Sequence, residues 1–310
     1  MECWSFEENR WQPGERPGAS LRWFDLTAGD EKQLHALAEQ CHLHPLAVED
    51  CLSPLIHAPK IDDFGDYLFI VVQAVKGEAS DPQLEELDVF LGKDFLITWC
   101  DGHVDEIAQT RDALQRGIAV RPGCDGLLYE VLDRVVDGIL PRVDAAGERL
   151  DALQQDALAR PRSQAEAYSM VEIRARAGRL RRMMTTQLLV VQRLSRGEFE
   201  HVAESNRIYF RDIYDHLVRI DMALEGVRED AEVALSTYLS SLNNRLSEVM
   251  KVLSVVTALA LPATVISGIF GTNFDNVPGL HSNWGFAVMM AGMAGVALGM
   301  AYFFKRRGWF

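Results

Sequence analysis

Charged residues are scattered through the chain as far as Lys251 and then almost cease. Val252 to Phe270 (VLSVVTALALPATVISGIF) carries none, and Trp284 to Phe304 (WGFAVMMAGMAGVALGMAYFF) carries none. Each run approaches the ~20 residues a helix needs to cross a ~30 Å hydrocarbon core. A pair of buried core helices is the alternative, but core helices seldom lack charge over such a length. Two membrane spans are therefore expected, at about 252–270 and at 284–304, joined by a short loop at 272–283. Lys251 precedes the first span, Lys305, Arg306 and Arg307 follow the second, and the loop from Gly271 to Asn283 has no Lys or Arg. The positive-inside rule then puts both chain ends in the cytoplasm, with 305–310 as a basic tail. No apolar stretch near the N-terminus resembles a signal peptide.

Upstream the pattern changes twice. Residues 1–125 alternate strand and helix signals. RWFDL near Leu21 reads as a strand, and Asp30–Cys41 has Leu34, Leu37 and Ala38 at helical spacing. His44-Pro45 opens a short helix, with Pro45 suited to the first turn. YLFIVVQAV and LDVFLGKDFLITW are rich in β-branched and aromatic residues, with Gly92 near a turn. An α/β domain around a small sheet is expected. Residues 126–202 read as long helices. Leu127, Val131, Val135, Ile139, Val143, Leu150 and Leu153 form one amphipathic series, which Pro141 is expected to kink and Arg160-Pro161 to end. A second helix is expected from about Ser163 to Leu194. A third starts near Ala203 and meets no breaker before Pro262, which a membrane helix tolerates. One helix over 203–271 would then run from the stalk into the first span.

Composition narrows the function. The chain has 310 residues, 31 basic against 45 acidic, for a net charge of −14. That balance argues against a protein that grips nucleic acid by neutralising phosphates. Five cysteines, none in a C-x-x-C pair, fit a reducing compartment better than a disulfide scaffold. No P-loop, G-x-G-x-x-G after a strand or G-x-S-x-G is present, so neither an ATP-driven pump nor a recognised hydrolase is indicated.

The third helix carries a stripe in steps of three and four: Ser236, Ser240, Asn243, Ser247, Met250, Ser254, Thr257, Leu261, Thr264, Gly268, Gly271. Small or polar side chains fill nearly every place. Hydroxyls facing lipid gain nothing, whereas facing partner helices or water they do. Ordinary packing through small residues is, for the stripe taken alone, slightly the better explanation than a pore. Two helices cannot enclose a channel, so a pore requires several chains, with the second span and its Gly295-x-x-x-Gly299 pattern outside. The first span ends in GTNFDN, where Asn273 offers an amide oxygen and Asp275 a charge. A ring of amides could hold a hydrated Mg²⁺ through its waters; a plain turn is the other reading.

These segments resemble a known family. SSLNNRLSEVMKVLSVVTALALPATVISGIFGTNF, then WGF, the second span and KRRGWF, are similar to CorA divalent cation transporters, as are HPLAVEDCL and YFRDIYDH upstream. The resemblance implies a funnel-shaped homopentamer with an α/β/α cytoplasmic domain, a long stalk helix and two C-terminal transmembrane helices in a bacterial plasma (inner) membrane. It implies transport of Mg²⁺, with Co²⁺ and Ni²⁺, down the electrochemical gradient, gated by intracellular metal. No resident cofactor, ATP or nucleic acid is implied; the partners are other copies and membrane lipids. Gly271, Thr272 and Asn273 stand at the Gly-Met-Asn signature, with Asn273 in the selecting role. Thr272 departs from the usual Met, which suits a ZntB-like zinc carrier, with proton coupling as an option. Pore positions fall on Ser247, Met250, Leu253, Thr257, Leu261, Thr264 and Gly268, with Met250 and Leu253 as the apolar constriction. Lys305, Arg306 and Arg307 form the basic collar. The resemblance also implies a regulatory metal ligand at Asp212, with Glu78 or Asp81 of a neighbouring chain as its partner; a solvated helix-face acid is the alternative. A membrane-anchored sensor without transport would need neither stripe nor GTN motif.

Two other clusters are set aside. Cys41, His42, His44, Cys51 and His57 crowd together, but their spacing fits no usual zinc finger. Arg174, Arg176, Arg179, Arg181 and Arg182 follow Glu166 and Glu172, and a solvated or acid-paired helix face is expected rather than a nucleic-acid patch.

Overall fold

The computed structural model describes residues 1–7, 10–16, 18–77, 83–159, 164–272, 277–279 and 282–309. It divides into two compact units, Met1–Leu235 and Ser236–Phe310.

The first unit is built on a mixed sheet. Its strands are β1 (Glu2–Glu7), β2 (Arg10–Pro13), β3 (Leu21–Thr27), β4 (Lys60–Asp63), β5 (Tyr67–Lys76), β6 (Gln83–Gly92) and β7 (Phe95–Cys100). They lie in the order β2-β1-β3-β7-β6-β5-β4. Only β3 and β7 pair in parallel among the described residues, with Phe24 beside Ile97; the other pairs are antiparallel. Both faces are covered. The helices α1 (Glu31–Gln40) and α2 (Pro45–Leu52) pack Leu34, Leu37, Val48 and Cys51 onto Phe24, Phe69, Phe90 and Ile97. On the opposite face α3 (Asp105–Gln115), α4 (Cys124–Asp137), α5 (Leu140–Ala159), α6 (Gln164–Ser195) and the start of α7 (Glu204–Phe270) cover Trp23, Leu68, Ile70, Val89 and Leu96. This two-sided burial explains why β5 reads as a continuous apolar run rather than an alternating one. The layers are therefore α/β/α, as the sequence implied.

Several elements depart from the sequence reading. The sheet is not small: β1, β2 and β4 join the expected strands. The first two are marked only by Trp4, Phe6 and Trp11, of which Trp4 and Trp11 are buried. Helix α3 is a further addition. Pro141 does not kink a continuous helix. Helix α4 closes at Gly138, and Pro141 is the second residue of a new helix, where its missing N–H costs nothing. The expected breaker Arg160-Pro161 and the residue Ser163 lie outside the described residues.

Buried polar groups in this unit are mostly paired. Asp25 accepts from the Thr98 hydroxyl (2.9 Å) and from Arg111 (3.1 Å), while Trp23 donates to the same Thr98 oxygen (3.1 Å). Burial nonetheless pushes the Asp25 carboxyl up to about 6, against the lowering pull of Thr98 and Arg111. Asp125, at the start of α4, holds the start of α7 in place. Its Oδ2 accepts from the Ala203 backbone N–H at 2.9 Å and from Asn206 at 2.8 Å.

The second unit contains the rest of α7, which runs unbroken through Pro262, and α8 (Gly285–Arg306). Both are long and apolar enough to cross a membrane.

Replacing Asp125 by Ala should strand the buried Asn206 amide and uncap the Ala203 N–H, at a cost of roughly 1–3 kcal/mol. The thermal midpoint of the detergent-purified protein should fall clearly, and less in Asp125→Asn, which keeps one acceptor. An unchanged midpoint in Asp125→Ala would show that this cap does not hold α7.

Candidate functional site

Two groups of side chains carry candidate chemistry, one in each unit. In the second unit α7 has a covered side, along which Lys251, Val255, Leu259, Pro262, Ile266 and Phe270 are buried or half-buried. At about 100° per residue these follow one line along the helix. Met250, Leu253, Thr257, Leu261, Thr264 and Gly268 are all exposed and fall within an arc of about 80° on nearly the opposite side. Ser247, also exposed, sits about 40° beyond its edge. Leu253 lies closer to the centre of this face than Ser254, which the reading in steps of three and four had placed on the stripe.

The hydroxyls on this helix bond back to it. Ser254 donates to the Met250 carbonyl (2.8 Å), Thr257 to Leu253 (2.8 Å) and Thr264 to Ala260 (3.0 Å). Each proton is thus committed within the helix, and the hydroxyl oxygen keeps lone pairs for anything that approaches. Pro262 has no N–H to give the Ala258 carbonyl four residues before it, which frees one more acceptor in mid-span. The freed carbonyl lies toward the half-buried side with Pro262, so the exposed face itself combines the apolar Met250, Leu253 and Leu261 with the hydroxyl oxygens of Thr257 and Thr264 and bears no fixed charge.

The helix closes on the Gly271 N–H bonding to Ser267 (2.8 Å) and the Thr272 hydroxyl bonding to Ile269 (2.8 Å). A Cβ at Gly271 would lie 3.1 Å from the Ser267 oxygen, so close approach is what favours glycine there. Asn273 and Asp275 lie outside the described residues. On α8, nothing among the described residues lies within 4 Å of a Cβ placed at Gly295 or Gly299. Lys251 and the tail meet: its ammonium donates to the Gly308 carbonyl (3.0 Å) and lies 5.9 Å from the Trp309 ring centre. Lys305 and Arg306 end α8, and Arg307 caps it with its ring neighbour Phe303 5.3 Å away.

In the first unit, α4 supplies Asp133 and Asp137 and α7 supplies His216. One ligand atom from each lies within 4.8 Å of the other two. His216 Nδ1 is 3.1 Å from Asp137 Oδ1. Burial, then the neighbouring Asp137, pushes the Asp133 carboxyl up to about 6; Glu130 and Asp212 add to this and His216 opposes it. Two carboxylates and an imidazole at this spacing form a ligand set for a divalent cation. Asp212, exposed and one turn before His216, stands at the margin of the group. Sequence reading found Asp212 but missed the other three. The signal was present as two i,i+4 pairs, Asp133 with Asp137 and Asp212 with His216, each on one helix face. Glu78 and Asp81, the suggested partner carboxylates, lie outside the described residues.

The clusters set aside are accounted for. His44 Nδ1 accepts from the Leu46 N–H and caps α2, and His57 faces Glu86, so the five Cys and His residues do not converge. Arg181 pairs with Asp221 and Glu225 on α7, and Arg176 with Glu172, an acid-paired helix face as expected.

The chain is similar to known proteins along nearly its whole length. The family model described as CorA-like Mg²⁺ transporter protein matches residues 18–306. The cobalt/magnesium transport protein CorA of Thermotoga maritima is 29% identical over 306 residues, covering 95% of this chain and 85% of that one. The zinc transport protein ZntB of Yersinia pseudotuberculosis is 25% identical over 275 residues, covering 86% and 81%. The solved structure of the CorA magnesium transporter from Methanocaldococcus jannaschii superposes with a TM-score of 0.89 at 19% identity, over 100% of this chain and 98% of that one. With a family match spanning nearly its whole length and two apolar helices at its C-terminal end, the chain belongs to the CorA family of divalent metal cation transporters, which are membrane proteins.

Proposed function

We propose that five copies of the chain surround a cation path, each lining it with the exposed face of α7 around Met250, Leu253, Thr257, Leu261, Thr264 and Gly268. The observation that carries this reading is the opposition between that face and the covered side of the same helix. A span that served only as an anchor would gain nothing from uncharged acceptors gathered on one side. Mg²⁺ is the preferred cargo, with Co²⁺ and Ni²⁺ also accepted.

The physical sequence is short. At the outer mouth Gly271, Thr272 and Asn273 form the entry, where five Asn273 amide oxygens accept from the waters of a hydrated ion. The back-bonded hydroxyls then offer lone pairs without a charge that would trap the ion. The Met250 and Leu253 rings form an apolar constriction that closes by losing its water. The driving force is the ion gradient plus the membrane potential, about 2.3 kcal/mol per charge per 100 mV and hence about double for a divalent ion. The basic residues Lys251, Lys305, Arg306 and Arg307 mark the cytoplasmic end. Metal at Asp133, Asp137 and His216, with Asp212 beside them, favours the closed state when internal metal is high. A zinc carrier is the second reading, favoured by Thr272 in the middle of the entry motif.

Uptake of Mg²⁺, Co²⁺, Ni²⁺ and Zn²⁺ into proteoliposomes, at two pH gradients, tests the proposal. Asn273→Ala should cut Mg²⁺ uptake at least ~tenfold, because five acceptors worth about 0.5–1.5 kcal/mol each vanish together. Thr272→Met should preserve it. Parent-like transport in a normally assembled Asn273→Ala protein contradicts the entry role, and Zn²⁺ uptake alone favours the second reading.

His216→Ala and Asp212→Ala should each weaken inhibition by internal metal, raising the half-inhibitory concentration at least severalfold for His216→Ala. Unchanged inhibition in both would leave the group as ordinary surface charge.

A further inference from the structure

A second polar centre lies in the first unit, on the α1–α2 face of the sheet. Asp88 sits in the middle of β6, between Val71 of β5 and Trp99 of β7, and is only 2% exposed. Its Oδ1 atom has no hydrogen-bond partner among the described residues, and neither has the buried Trp99 Nε1. Both residues line a cavity of about 200 Å³, together with Cys51, Glu85, Glu86 and Asp101. That volume holds several waters at ~30 Å³ each.

A buried carboxyl with a free oxygen is a costly feature in a well-packed sheet. Nothing in the fold requires it, since Phe90 next along the same face packs as ordinary core. Its surroundings are acidic. Glu86 and the Cys51 thiol interact with it directly, and Asp50 adds a further negative field. Burial, reinforced by Glu86, holds the Asp88 carboxyl up at about 8. Burial also raises the Cys51 thiol, and the nearby acids raise it further. The basic groups, His57 and Lys60, stand behind this line. His57 Nδ1 is 3.0 Å from Glu86 Oε1, and its Nε2 is 3.9 Å from Asp50. Lys60 pairs with Asp50 at 2.6 Å and Asp62 at 3.0 Å. Each of these groups already has an acid, and none of these contacts involves Asp88.

We propose that this cavity binds a divalent cation of borderline softness, Zn²⁺ or Co²⁺ rather than Mg²⁺, through the Cys51 sulfur and Asp88, with cavity waters completing the shell. A thiolate donor discriminates against Mg²⁺, which takes oxygen ligands and keeps its water. Cys51 and Asp88 each release a proton to solvent when the ion binds, because the ion reverses the local sign of charge. Glu86, with both oxygens engaged by His57, stands in the outer shell beside Asp88. The site is separate from the Asp133, Asp137 and His216 group and does not rest on the transport reading.

Co²⁺ titration of the full-length, detergent-purified His216→Ala protein tests the proposal, because Co²⁺–thiolate charge transfer absorbs in the near ultraviolet. The band should appear on titration and survive a roughly hundredfold excess of Mg²⁺. It should vanish in Cys51→Ser and remain in Cys41→Ser. Asp88→Asn keeps the thiol and close to the original shape, and should weaken Co²⁺ binding at least ~tenfold. It reads the site independently if Cys51→Ser folds poorly. A folded His216→Ala protein with no thiolate band, a band unchanged in Cys51→Ser, or parent-like affinity in Asp88→Asn would overturn the proposal. None of these readouts depends on ion flux, so failed transport and failed binding are told apart.

Discussion

A polar group removed from water must find a partner, and most of this molecule obeys that constraint. In the sheet, Asp25, Thr98, Trp23 and Arg111 satisfy one another across the parallel β3–β7 pair. At the start of α7, Asp125 takes up a backbone N–H and an amide that the turn would otherwise leave bare. Along α7 the same demand sends the protons of Ser254, Thr257 and Thr264 back into their own helix. That last solution has a functional consequence. A hydroxyl that spends its proton internally meets its surroundings as an acceptor, so one helix face becomes attractive to cations without carrying charge. Where the constraint is broken, as at Asp88, the breach points to something absent from the fold itself.

Much of this was legible in the sequence, for identifiable reasons. The two spans announce themselves because charge is excluded over lengths set by the bilayer. Strands β5, β6 and β7 and helices α1 and α2 were readable because their composition and caps agree with their final state: Pro45 does start α2, with His44 as its cap. Strands β1 and β2 were not, because a few large side chains, Trp4, Phe6 and Trp11, do the work that a longer alternating run usually signals. Pro141 was misjudged because a proline in a first turn and one at a kink look alike until the backbone before it is seen to close at Gly138.

The candidate sites divide in the same way. The α7 stripe was legible from spacing, since one helix supplies all of it. Its phase needed the covered side of the helix, which brought Leu253 nearer the centre than Ser254. The Asp133, Asp137 and His216 group joins helices far apart in sequence, so the spacing contains two separate i,i+4 pairs, which were passed over, and no sign that they face each other. The Cys51–Asp88 cavity was less legible still. Cys51 was noticed among nearby histidines, but its neighbour comes from β6, through pairing that no local pattern encodes.

The central claim is that a chain with only two spans completes its path by assembly, with α7 of each copy facing a shared axis. The exposed acceptor face of α7 is compatible with that claim only if other copies, rather than lipid, cover it. The most direct test is the native mass of the detergent-purified complex. The account predicts a closed assembly of about five times the 34.8 kDa of one chain. A monomer or dimer as the sole stable species would contradict it.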